Sequence, residues 1–249
     1  MKKIFPDMYS KPHKIQIISV IPCWLWVFVL FPMFMPFLWL GLWEQVEISV
    51  WQEICYHVAN GVLMLLLMFN YFKEELFMVT TDVRHYLKHV ALTVGLIVGT
   101  ELTLLGAMYL CGFDITYMLE FLPIGEMSVS HTPLLLLSLE PVFGTIAMSV
   151  FAPISICALF YCFAFAPICC KKSWPAYLCI ALITLIPHII DVLWRGQTTF
   201  AVNAYIIQLP IHLLACWSYQ KTDNVWTPLL SLGITNLLAS IIIPILIVR

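Results

Sequence analysis

The sequence predicts an all-α, polytopic integral membrane protein of about seven to eight transmembrane helices, one of them broken by prolines around 141–167. Three observations predict it. Of 249 residues 62% are hydrophobic and only 10% charged, where a soluble domain carries about a quarter charged residues. The apolar runs have the length that a hydrocarbon core of roughly 30 Å demands, about 20 residues at about 1.5 Å each. Lysine and arginine fall between the runs rather than inside them, as the positive-inside rule leads one to expect.

The first run, 15–43, follows Lys2, Lys3, Lys11 and Lys14. That polarity belongs to a signal sequence, but the run is too long and too aromatic for a cleavable one and reads as a retained first span. A second span falls in 54–72. The segment 73–89, KEELFMVTTDVRHYLKH, reads as an amphipathic cytoplasmic connector with Glu74 and Glu75 solvated. Further spans fall in 90–113, 174–194, 196–220 and 225–248, and the acidic linker 114–126 faces outward.

The stretch 132–170 holds a single charge, Glu140, and a helix of that length would extend about 58 Å, nearly twice one crossing. It is expected to break at Pro141, Gly144, Pro153 or Pro167, because proline removes a backbone donor and clashes with the preceding turn. If the broken stretch makes one net crossing, Arg195 and Arg249 alone among the twelve cations face outward, which places the N-terminus in the cytoplasm. If it crosses twice, the split is nine against three, so the first arrangement is preferred. The whole of 1–249 is one membrane domain without repeats or low-complexity segments, located in the cell membrane with the lipid bilayer as its first partner.

Composition also excludes classes of function. The nine cysteines form no CxxC pair and sit mostly in apolar runs, so neither a disulfide framework nor a zinc knuckle is indicated. A net charge of -2, with no basic patch carrying interleaved aromatics, gives no nucleic-acid footprint.

Ionisable groups inside a membrane helix cost about 2.5 to 3.5 kcal/mol each even on a lenient scale, so each needs a reason. Those here are Glu101, Glu140, His188, Asp191 and His212, joined by Asn236 and, more weakly, Asn203 and Gln208. His188 and Asp191 stand three apart on one helix face, where the acid either holds the imidazole in one tautomer or simply glues helices together. Glu101 is either a proton-relay or cation-binding group or a neutral carboxyl bonded to a neighbouring helix, and neutrality is the cheaper state for a buried acid. Glu140 suits the outer interface. His188, Asp191 and His212 are residue types that suit zinc, yet there is no HExxH, so no metal is assigned.

The residues from Phe151 to Ala239 resemble the CPBP family of membrane proteins, named for CAAX proteases and bacteriocin-processing enzymes and also called Abi or type II CAAX prenyl endopeptidases. The family carries a proline-preceded EExxxR, then FxxxH, then HxxxN near the C-terminus after a W-x-P-x-L helix start. The matching stretches here read APISICALFYC, TLIPH and WTPLLSLGITNLL, which makes 132–245 a CPBP-like core. Ile156 and Cys157 stand where the family has its glutamates, Tyr161 where it has arginine, Thr184 for the phenylalanine and Leu232 for the second histidine. His188 and Asn236 are retained, as are the framing Pro153, Trp226 and Pro228.

The resemblance therefore implies a degenerate intramembrane metalloendopeptidase. In the family a glutamate is thought to activate water for attack on a peptide carbonyl, and a positioned base is worth about 10² to 10⁴ in rate. Ile156 and Cys157 cannot supply it, and a Cys157–His188 dyad lacks the electropositive surroundings a thiolate needs. The resemblance implies zinc or another divalent metal only by analogy, with no supporting motif here. It leaves His188 and Asn236 as candidate catalytic positions or as plain interhelical hydrogen-bond partners. Two functional expectations follow. One is a catalytically degraded scaffold that binds or helps process a peptide or membrane-protein partner, in bacteriocin immunity or maturation, with an active endopeptidase as its close variant. The other is a small transporter or transporter subunit using Glu101 and the His188, Asp191 and His212 group for coupling.

Overall fold

A computed structural model describes residues 50–112, 140–169, 173–195 and 198–247. The expected first span 15–43, the linker 114–126 and the start of the 132–170 stretch lie outside the described residues. In chain order the helices are α1 (Val50–Leu67), α2 (Phe69–Thr81), α3 (Val83–Leu110), α4 (140–169), α5 (Ser173–Arg195), α6 (Thr198–Thr222) and α7 (Trp226–Ile247). Among the described residues there is no strand.

Two stretches among the described residues are long and apolar enough to cross a bilayer, Val83–Leu110 and Val142–Cys162, and α1 with α2 adds a third if that pair, bent by 81°, is counted as one broken span. This is fewer than the seven to eight the sequence predicts for the whole chain. Shorter apolar stretches, Ser173–Ile186 and Trp226–Ile241, lie on α5 and α7. In α6, Asn203, Gln208, His212 and Gln220 dilute the apolar character. On α3, Leu92, Leu96, Leu102 and Leu110 point outward, an arrangement suited to lipid as solvent and costly in water.

Over its described part, 140–169, the long stretch does not break at Pro141, Pro153 or Pro167. It runs as one helix that alternates between α and π turns: α over Glu140–Ile146, π over Ala147–Phe151, α over Ala152–Ile156, π over Cys157–Phe165 and α again over Ala166–Cys169. Each π segment ends two residues before a proline, Pro153 and Pro167. The pattern has a physical cause. A proline ring presses on the carbonyl four residues back, and widening the turn to five-residue hydrogen bonding moves that carbonyl away. The Ala152 amide donates to Ala147 O in this wider register, so the next bond, from position 153 to Met148 O, is the one proline cannot make.

Neighbouring helices deal with the freed carbonyls. Asn236 of α7 donates from Nδ2 to Met148 O at 2.7 Å. Gly233, one turn earlier, lies against Ser149 O, where an added Cβ would sit 2.6 Å from that oxygen. On the other side of the same π segment, Gly61 of α1 meets Phe151, whose Cβ would be 2.7 Å from a Cβ at position 61. The π turn is thus held between two glycine-bearing helices, α1 and α7. Further along, residues 157–162 are all buried, which identifies α4 as the central helix of the bundle. Around it Leu159, Phe165, Ile180 and Ile207 form one continuous core with Met64 and Ile97. α3, which contributes Ile97 to this core, packs on α6 and α7.

Within 73–89, Glu75 departs from its expected solvated character, and residues 83–89 form the start of α3. Asp82 ends α2 and caps α3, its carboxylate accepting from the His85 amide at 3.2 Å. Glu74 is exposed as expected, but Glu75 is fully buried. Its carboxylate accepts from the Val225 amide at 3.3 Å, and its backbone oxygen accepts from Asn224 Nδ2 at 2.9 Å. Trp226 adds an indole bond from Nε1 to Phe72 O at 2.8 Å. The α6–α7 turn that receives α2 is tight enough to put Asp223 at φ 50, a left-handed conformation that aspartate tolerates better than most residues.

Burial pushes the Glu75 carboxyl up to about 8 from 4.5; the Val225 amide opposes the rise, and the nearby Asp223 and Glu74 reinforce it. A raised folded-state value means the folded chain holds this proton while the unfolded chain has released it. The stability it contributes is complete below the ordinary carboxylate value and is lost as pH rises through about 8. Thermal melting of detergent-solubilised protein is therefore expected to weaken between pH 6 and pH 9 and to flatten in Glu75→Gln; an unchanged slope in that variant would refute the assignment. In the same assay Asn236→Ala is expected to cost about 1–3 kcal/mol, because it strands a buried carbonyl. Gly233→Ala should cost about as much through overpacking, whereas Gly95→Ala, with nothing within 4 Å of its added Cβ, should be neutral or stabilising.

Candidate functional site

Four helices enclose a cavity of about 160 Å³, and the spacing of its lining residues follows helical geometry. Tyr56, His57 and Asn60 come from α1 at positions i, i+1 and i+4; Ser155, Ile156, Leu159 and Phe160 come from α4 at i, i+1, i+4 and i+5; Thr184 comes from α5, and Gln208 and His212 from α6 at i and i+4. Ser155, Thr184 and Asn60 are buried, whereas Tyr56, His57, Ile156, Gln208 and His212 are half-buried. The most buried polar lining residues thus come from α1, α4 and α5.

No aspartate, glutamate, lysine or arginine lines it. Its polar groups are two imidazoles, two carboxamides and three hydroxyls. The Ser155 hydroxyl donates to Phe151 O at 3.2 Å and that of Thr184 to Ile180 O at 2.8 Å, each within its own helix. Such back-bonding is the usual recourse of a hydroxyl in an apolar helix, and it leaves the oxygen lone pairs facing the cavity. His212 Nδ1 lies 3.4 Å from the Tyr161 hydroxyl, and its ring lies 5.1 Å from that of Phe160. Asn60 differs from the rest: neither Nδ2 nor Oδ1 has a hydrogen-bond partner, although the residue is 1% exposed.

Of the positions singled out from sequence, Ile156, Thr184, Gln208 and His212 line this cavity together. Tyr161 contacts it indirectly, through His212. Cys157 and Leu232 are buried in the core and do not line it. Asn236 is directed to Met148 O. His188 stacks edge-on near Tyr205, with ring centroids 5.8 Å apart, and is close enough to His212 to interact electrostatically. Glu101 is buried on α3 away from the cavity. The side chains of Asp191 and Glu140 lie outside the described residues.

His57, Asn60, Tyr56 and Ser155 also line the cavity and are not among the intramembrane polar groups that stand out in the sequence. The signal is present in CYHVANG, where a histidine and an asparagine three apart share a face of the second expected span. Among the described residues no three of His, Cys, Asp and Glu gather where they would hold a metal ion. The donors present therefore do not fit the divalent metal that family analogy implies. Compared with protein-family models, with curated proteins and with solved structures, the chain matches none.

The unpartnered Asn60 amide makes a measurable demand on the fold. Asn60→Leu, of nearly the same shape, removes two buried polar atoms that bond to nothing and is expected to raise stability by about 1–3 kcal/mol in thermal melts of the detergent-solubilised protein. A loss of stability would mean that the amide has a structural role.

Proposed function

We propose that this chain is a multi-pass membrane protein of the CPBP type whose central cavity binds a segment of a peptide or membrane-protein partner without hydrolysing it. On this reading the full chain crosses the bilayer seven to eight times with its N-terminus in the cytoplasm, and α2 lies along the cytoplasmic face. The observation that carries the proposal is the lining itself. Ile156, at the position of a family glutamate, faces a cavity that contains hydrogen-bonding groups but no carboxylate. A water-activating base must lie within hydrogen-bond reach of its proton, and none of the lining groups is the acid the family uses. What remains is a hollow with a few placed polar groups among apolar and aromatic walls, the usual composition of a binding site.

The two retained family positions are consistent with this reading. Asn236 serves helix packing by capping a carbonyl that proline leaves free, and His188 is not among the cavity-lining residues. The packing role of Asn236 needs no catalysis to explain it.

The test uses the full chain in lipid nanodiscs with fluorescent and internally quenched peptides. Binding without turnover is expected, weakened at least tenfold by Ile156→Trp, which fills the cavity. Peptide cleavage that disappears in His188→Ala or Asn236→Ala would overturn the proposal, as would the absence of any peptide binding.

A further inference from the structure

Resting on the reading of the cavity as a binding site, the geometry points to a neutral primary carboxamide, carried by an Asn or Gln side chain or by a free small molecule, as the group the cavity holds through the carboxamide of Asn60. Asn60 supplies a donor, Nδ2, and an acceptor, Oδ1, side by side, and neither is used within the protein. The group most directly complementary to an amide edge is another amide edge, which returns one donor and one acceptor in the same plane. A ligand with acceptors alone would satisfy Nδ2 and leave Oδ1 stranded; a ligand with donors alone would do the reverse.

The remaining lining narrows the class further. Thr184 and Ser155 have committed their hydroxyl protons to Ile180 O and Phe151 O, so they meet a ligand as acceptors and suit the second N–H of a primary amide. Gln208 and His212, one turn apart on α6, offer polar contacts from the opposite wall. Phe160, Leu159 and Ile156 supply apolar surface for whatever carries the amide. No lining residue carries a formal charge of the kind that would pair with a carboxylate or an amidinium. Charged analogues would therefore be desolvated without compensation and excluded. A volume of about 160 Å³ admits one such head group with a small apolar body.

Benzamide is the probe, compared with methyl benzoate, benzoate and benzamidine on the full chain in nanodiscs by ligand-observed NMR and calorimetry. Benzamide is expected to bind about ten- to a hundredfold more tightly than methyl benzoate, with benzoate and benzamidine undetectable. Asn60→Leu should abolish that preference while circular dichroism and melting show a folded protein. Because the comparison among ligands needs no substitution, it decides the matter even if that variant fails to fold. A glutamine-bearing peptide competing with benzamide would support the proposal and assign the amide to a side chain, whereas benzamide bound with no peptide competing would support it and assign a free amide. Equal binding of benzamide and methyl benzoate, or no binding of either, would overturn the carboxamide inference. If peptides still bound uncut in those last cases, the binding-protein reading would stand; if peptides were cleaved, that reading would fall as well.

Discussion

Everything in this bundle is arranged around a backbone that cannot satisfy itself. In an apolar surround each amide and carbonyl without a partner costs several kcal/mol, and α4 carries prolines through the middle of the molecule. The helix responds by widening to π turns before Pro153 and Pro167. The carbonyl that remains over is met by Asn236, and the widened turn is accommodated by glycines on the helices to either side. Sequence, local geometry and packing are linked step by step here: a proline dictates a wider turn, and the wider turn dictates a side-chain amide and two missing Cβ atoms on other helices.

The cavity is a by-product of the same arrangement. After the first π turn, α4 presents Ser155 and Ile156 from its α segment and Leu159 and Phe160 from its second π segment to α1, α5 and α6. Those helices answer with imidazole, amide and hydroxyl groups rather than with charges. In a low-dielectric interior that choice lowers the burial cost of an empty site, and such groups recognise a ligand by hydrogen bonding.

Much of the architecture is legible in the sequence because lipid imposes a coarse rule. Long apolar runs, charge confined to connectors and an absence of strand patterning specify a helical membrane-type protein, and the described residues are helical throughout. Proline positions mark where α4 deforms, yet the form of the deformation depends on Asn236 and Gly233, some eighty residues further along the chain, so it is invisible to local reading. Glu75 illustrates the same limit. An acid in an amphipathic connector reads as solvated, and only the fold reveals a turn 150 residues away whose amide receives it. Within the site, Ile156, Thr184, Gln208 and His212 stand out through pattern and polarity. His57 and Asn60 are as legible in principle, but two polar residues within HVANGVLM read equally as tolerated interruptions of a span.

Asn60 and Gly61 are consecutive residues. One reaches into the hollow with its amide; the other lets α1 touch the backbone of α4. The floor of the site is thereby anchored to a close interhelical approach, and the reference frame of the amide is rigid for a reason unrelated to recognition. Divergence of the lining can proceed by exchanging side chains around a stationary hook, but not by sliding the helix that bears it.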